Sequence, residues 1–157
     1  MFLLPLGLLT GLLEWAPAQL SWLRALRVAV TVLMAPAILE EFVWRGLCLP
    51  HPLENPSLSS RWGWGIISLS LYLVSHPLNS MTFYPGSLEM FTLPIFLASV
   101  VALGLICMAA YWRSGSIWLP VAIHWLVVMA WLLLFNGYNR LHDPSAIAIV
   151  KICLAAV

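Results

Sequence analysis

Between residues 88 and 111 the only charged side chain is Glu89. A helix crossing the hydrocarbon core of a bilayer takes roughly 20 predominantly apolar residues. In that solvent each backbone N–H and C=O must be paired inside the protein, as an α-helix does within itself. The run is one of several, because residues 28–49 and 117–135 are also long and apolar, and residues 62–76 form a shorter one. Hydrophobic residues make up 62% of the 157-residue chain and charged residues 8%, against roughly 45–50% and 25% in soluble domains. The expected fold is therefore all-α: a polytopic transmembrane helix bundle with four core helices and short flanking segments. At this length each crossing leaves little for any extramembrane unit, so residues 1–157 are read as one integral membrane domain.

The segments between the runs carry the breakers. Pro50, Pro52, Asn55 and Pro56 mark a loop after the 28–49 helix, Pro77 closes the third segment, and residues 79–87 read as a loop. Residues 111–116 form a tight connection, Pro120 sits in the first turn of the next span, and residues 136–144 read as a polar loop. Residues 2–13 joined to 14–20 are expected to form a retained, tilted or interfacial first helix, and residues 146–157 a short tail against the bundle edge. Arg24 and Arg27 read as a polar break before the 28–49 helix, which Pro36 is expected to kink. The nine tryptophans mostly lie near the ends of the runs and read as interfacial anchors. Cys48, Cys107 and Cys153 are widely spaced in apolar sequence and read as buried small hydrophobes. A net charge of +1 leaves no basic footprint for nucleic acid. The arginine distribution does not set the membrane orientation.

Three charges interrupt the second run: Glu40, Glu41 and Arg45. Ionised groups at mid-membrane cost roughly 2.5–3.5 kcal/mol each on insertion scales, so they mark function more often than packing. Glu41 and Arg45 are four apart and share a helix face, the order and spacing of a charge pair. Glu40 points about 100° away, which leaves it free to face a polar cavity and act as a general base. His76 and His124 supply groups able to accept a proton or stabilise an oxyanion. The competing structural readings are a buried ion network for the three charges, an interfacial His76 and a satisfied core His124. His51 and His142, in loops, read as solvated, and Tyr72 as a packing residue with an anchored hydroxyl.

Glu40-Glu41-Phe42-Val43-Trp44-Arg45 resembles the E-E-x-x-x-R motif of the CAAX protease and bacteriocin-processing family of glutamic intramembrane proteases. Tyr72-Leu73-Val74-Ser75-His76 is similar to its F-x-x-x-H motif, with tyrosine in place of phenylalanine. The stretch from Gly115 through Pro120 to His124-Trp125 resembles the approach to its H-x-x-x-N motif. The resemblance makes residues 28–135 a protease-like core. It implies Glu40 as the base that activates water, His76 as the group that positions or polarises it, and His124 as the oxyanion donor, with Glu41, Arg45 and Tyr72 in support. It also implies a peptide or protein substrate in or near the bilayer, no metal and no other cofactor. A compact chain without an Arg/Ser-rich leader fits a multi-pass protein of a prokaryotic cytoplasmic membrane.

The pattern departs at one place. Four residues after His124 stands Val128, which cannot donate a hydrogen bond where the family has asparagine. Loss of one oxyanion donor costs about 10²- to 10³-fold in rate. Asn136, 12 residues from His124, lies roughly 18 Å further along a continuous helix, which leaves Ser75 and Asn79 as candidate donors from another segment. Two further readings follow from these residues. One is a non-catalytic membrane binding or immunity-type protein of the same fold, motivated by Val128. The other is a metal-dependent membrane hydrolase using the same Glu and His side chains, although the chain has no H-E-x-x-H.

Overall fold

A computed structural model describes residues 14–82 and 87–142. Helix α1 spans Trp22–Val32 and continues without a break through two π-helical segments, Leu33–Glu40 and Phe42–Leu47. A 3₁₀ turn at Pro52–Glu54 leads to α2, Leu58–Thr82. The short α3, Leu88–Phe91, precedes α4, Pro94–Ser114, which is followed by α5, Trp118–Leu134, and α6, Gly137–His142. The four core helices are α1 with its π extension, α2, α4 and α5, and the others flank them.

The composite helix starts earlier than residue 28. Ser21 caps it by accepting from the Arg24 N–H at 3.4 Å, so Arg24 and Arg27 lie exposed on α1 instead of forming a break. Pro36 lacks an N–H and crowds the preceding turn. The backbone there responds by widening its winding, and the Cys48 N–H still reaches back five residues to the Val43 carbonyl at 3.2 Å. Glu40 ends the first π segment, Glu41 stands between the two, and Arg45 lies in the second.

Helix α2 does not end at Pro77 but runs through it to Thr82. Side-chain donors satisfy carbonyls around the proline, as membrane helices permit: Ser75 Oγ and His76 Nδ1 donate to the Tyr72 carbonyl at 2.7 and 2.9 Å, and Ser80 Oγ donates to the Pro77 carbonyl at 2.6 Å. The 88–111 run, expected as one helix, is split. Pro94 holds Leu93 extended (φ −60°, ψ 130°) and then serves as the first residue of α4. Residues 137–142, expected as loop, form α6 after Asn136 takes a left-handed conformation (φ 62°).

Glu14 to Leu20 is extended, not helical. Its amides use the open carbonyls at the end of α5, with Ala16 N donating to Leu134 O at 3.1 Å and Ala18 N to Leu133 O at 2.8 Å. The remainder of the proposed first helix, residues 1–13, and the proposed tail, 146–157, lie outside the described residues, as does Cys153.

Trp22–Glu54 and Pro94–Ser114 are long and apolar enough to cross a membrane, and Trp118–Leu134 is a shorter apolar helix. Polarity is arranged inside out relative to a soluble domain. Glu41, Arg45 and His124 are buried, whereas Leu26, Val30, Ile66, Val74, Ile106 and Leu126 are exposed. Helix α4 packs against both α2 and α5, and α5 against the first π segment, so residues on four core elements converge on the buried charges.

Candidate active site

Glu41 is the centre of the buried cluster. Its side chain is fully buried, with Arg45 Nε 3.1 Å from Oε2 and His124 Nδ1 2.7 Å from Oε1. The first is an ion pair one turn along the π segment. The second spans 83 residues and ties α5 to the α1 extension. Arg45 is held on two further sides: Nη2 donates to the Gly104 carbonyl at 3.1 Å, and its guanidinium lies 4.7 Å from the centre of the Tyr72 ring. Gly104 also lets α4 pack closely on α2, because a Cβ there would come within 2.6 Å of Leu69 Cδ1 and 3.2 Å of the Tyr72 ring.

Glu40 is placed differently. Its side chain retains 16% exposure, and Oε2 has no hydrogen-bond partner among the described residues. It borders a cavity of about 160 Å³ lined also by Leu39, Val43, Trp44, Ser75 and Asn79. His124 stands between the two glutamates. With Nδ1 engaged by Glu41, its Nε2 lies 4.0 Å from Glu40 Oε2. A larger hollow of about 360 Å³, lined by Cys48, His51, Glu54, Trp64 and Tyr111 among others, touches none of these groups.

Tyr72 occupies the middle of the arrangement. Its ring meets His76 edge-on at 4.7 Å and His124 edge-on at 6.3 Å. Its hydroxyl is buried and has no hydrogen-bond partner among the described residues, so the expectation of an anchored hydroxyl is corrected. His76 is fixed by the bond from Nδ1 to the Tyr72 carbonyl and by Phe91 and Phe96 at 6.3 and 6.1 Å. It forms no ion pair with Glu40 among the described residues, joining the cluster through Tyr72.

Of the groups singled out by sequence, the fold therefore brings Glu40, Glu41, Arg45, Tyr72 and His124 together and sets His76 one ring further out. Ser75 is committed to the Tyr72 carbonyl, whereas the Asn79 side chain borders the cavity without a hydrogen bond among the described residues. His51 is not simply solvated: Nδ1 accepts from the Leu53 N–H at 3.2 Å, which leaves Nε2–H to donate to the Gly115 carbonyl at 3.1 Å. The His142 side chain lies outside the described residues. Sequence reasoning missed Gly104, whose signal was a glycine in mid-helix where propensity disfavours it. It also missed Ser68, which donates to the Trp44 carbonyl at 2.6 Å and pins α2 to the π segment.

No three His, Cys, Asp or Glu side chains among the described residues converge as a metal-ligand set. The molecule is thus a membrane helix bundle with a carboxylate–imidazole centre buried between its helices. Residues 21–130 match the family model described as type II CAAX prenyl endopeptidase, Rce1-like, and the chain belongs to that family. No curated protein and no solved structure matches it.

Proposed function

We propose that this protein is a multi-pass intramembrane endopeptidase in which Glu40 activates water, with residues 28–135 as the protease core. The observation that carries the reading is the unequal state of the adjacent glutamates. Glu41 is fully buried with Arg45 Nε 3.1 Å from one oxygen and His124 Nδ1 2.7 Å from the other, whereas Glu40 keeps 16% exposure, lines the cavity and has its Oε2 4.0 Å from His124 Nε2, beyond hydrogen-bond distance.

In this mechanism a water attacks the scissile carbonyl carbon and gives a proton to Glu40. The carbonyl electron pair moves onto oxygen, where His124 Nε2 faces the developing charge and His76 polarises the reacting groups. Collapse of the tetrahedral intermediate breaks the C–N bond, and Glu40 returns the proton to the leaving amine. Arg45 and Glu41 hold the helix register and the His124 ring. The substrate is a peptide or protein segment in or near the bilayer, and the location is a prokaryotic cytoplasmic membrane.

The test uses purified protein in liposomes with a pool of membrane-inserting peptides, including prenylated peptides ending in a CAAX sequence, and reads products by mass spectrometry. Glu40→Ala and His76→Ala are expected to abolish cleavage while the protein inserts and melts as the wild type. Full activity in either variant contradicts the mechanism, and loss of wild-type activity on exhaustive chelation favours the metal-dependent reading. Val128 motivates one other alternative, a binding or immunity-type protein; its mark is a biological effect that survives conservative changes at Glu40.

A further inference from the structure

We propose that the Tyr72 hydroxyl is a hydrogen-bond donor to the oxyanion, supplying beside His124 the bond that Val128 cannot make. The inference rests on the peptidase reading above. Tyr72 is 1% exposed, and its Oη has no hydrogen-bond partner among the described residues. A buried phenol left unpaired costs free energy that a phenylalanine ring of the same shape would not. Such a group persists where its partner arrives with the substrate.

The ring is also fixed. The Arg45 guanidinium lies 4.7 Å from its centre on one side, Trp44 stands at 6.5 Å, and the two histidine rings meet it at 88° and 83°. Gly104 packs close to the ring, where a Cβ would stand only 3.2 Å from it. The ring lies 6.3 Å from that of His124, whose Nε2 is 4.0 Å from Glu40 Oε2, so the phenol belongs to the same buried cluster. Neighbouring donors are already used: Ser75 Oγ and His76 Nδ1 donate to the Tyr72 carbonyl, and Ser68 Oγ to the Trp44 carbonyl. Asn79 is half-buried on the cavity wall, where water weakens a donor, whereas a preorganised donor in a water-excluded site is worth far more.

In the reaction the attacking water forms the C–O bond and its proton passes to Glu40. The carbonyl oxygen takes the electron pair and accepts hydrogen bonds from Tyr72 Oη–H and from His124. Tyr72 transfers no proton. Breakage of the C–N bond returns the pair to the carbonyl, and the proton on Glu40 goes to the amine.

The experiment compares wild type, Tyr72→Phe, Val128→Asn, the Tyr72→Phe/Val128→Asn double variant, Asn79→Ala and Glu40→Gln in liposomes, on the same peptide pool. Tyr72→Phe is expected to lower kcat about 10²- to 10³-fold with little change in KM and to melt no lower than the wild type. An asparagine at 128, one helical turn from His124 on the same face, is expected to restore at least about tenfold of that loss in the double variant. Wild-type kcat in Tyr72→Phe, a lowered melting temperature, no recovery in the double variant, or the loss appearing in Asn79→Ala instead would each overturn the inference while leaving the peptidase reading intact. A wild type as inert as Glu40→Gln across the pool would overturn both.

Discussion

At the scale of single residues, the decisive contrast is between two adjacent carboxylates. Glu41 has a charged or imidazole partner at each oxygen, and removing one member of such a buried cluster leaves an uncompensated charge in an apolar interior. Glu41→Ala, which strands Arg45, is therefore expected to cost about 3–5 kcal/mol, measured by denaturation of the detergent-solubilised protein against the wild type. A cost below about 1 kcal/mol, the range of exposed pairs, would contradict the buried network. The Glu41–Arg45 pair was legible in the sequence because four-residue spacing on a helix is a local property. The His124–Glu41 bond was not, because 83 residues separate the partners and only packing of α5 on the α1 extension brings them together. The same limit hid the unpaired hydroxyl of Tyr72, since whether a polar atom finds a partner is decided by its neighbours in space.

At the scale of elements, the π winding around Pro36 aims the site. In a regular α-helix adjacent side chains diverge by about 100°, and each wider turn rotates every later residue relative to that frame. Pro36→Ala restores an N–H and removes the ring clash. The variant is expected to tighten toward α winding, to be at least as stable as the wild type, and to lose about tenfold or more in cleavage rate, because displacement of a catalytic group by about 1 Å can cost 10²-fold. Amide exchange over the Leu33–Leu47 segments reports the change in winding, and an unchanged rate would show that the π turn is incidental. The four core helices were legible from apolar run length, yet their ends were not. Prolines decided most of the differences. Pro77 sits inside α2, with Ser75, His76 and Ser80 bonding carbonyls on either side of it, whereas Pro94 stops one helix and starts the next because it forces Leu93 extended. Serine-rich flanks around a membrane proline are a signal that would have favoured the longer α2.

At the scale of the whole molecule, apolar side chains face outward and charges inward, the arrangement expected of a chain solvated by lipid. Burying Glu40, Glu41, Arg45 and His124 is costly in such a fold, and in the proposed mechanism the return is a water-poor site in which a carboxylate base and fixed donors act strongly. The match to the Rce1-like family over residues 21–130 covers these residues together. Function at this scale reduces to whether Glu40 makes the membrane proteome different. The most direct measurement compares new protein N- and C-termini in membranes carrying equal amounts of folded wild type and Glu40→Gln. A set of termini formed by the wild type and absent, or reduced about 10²-fold or more, in Glu40→Gln is the predicted result. Identical termini in the two membranes would contradict glutamate-driven proteolysis and leave a binding protein built on the same bundle.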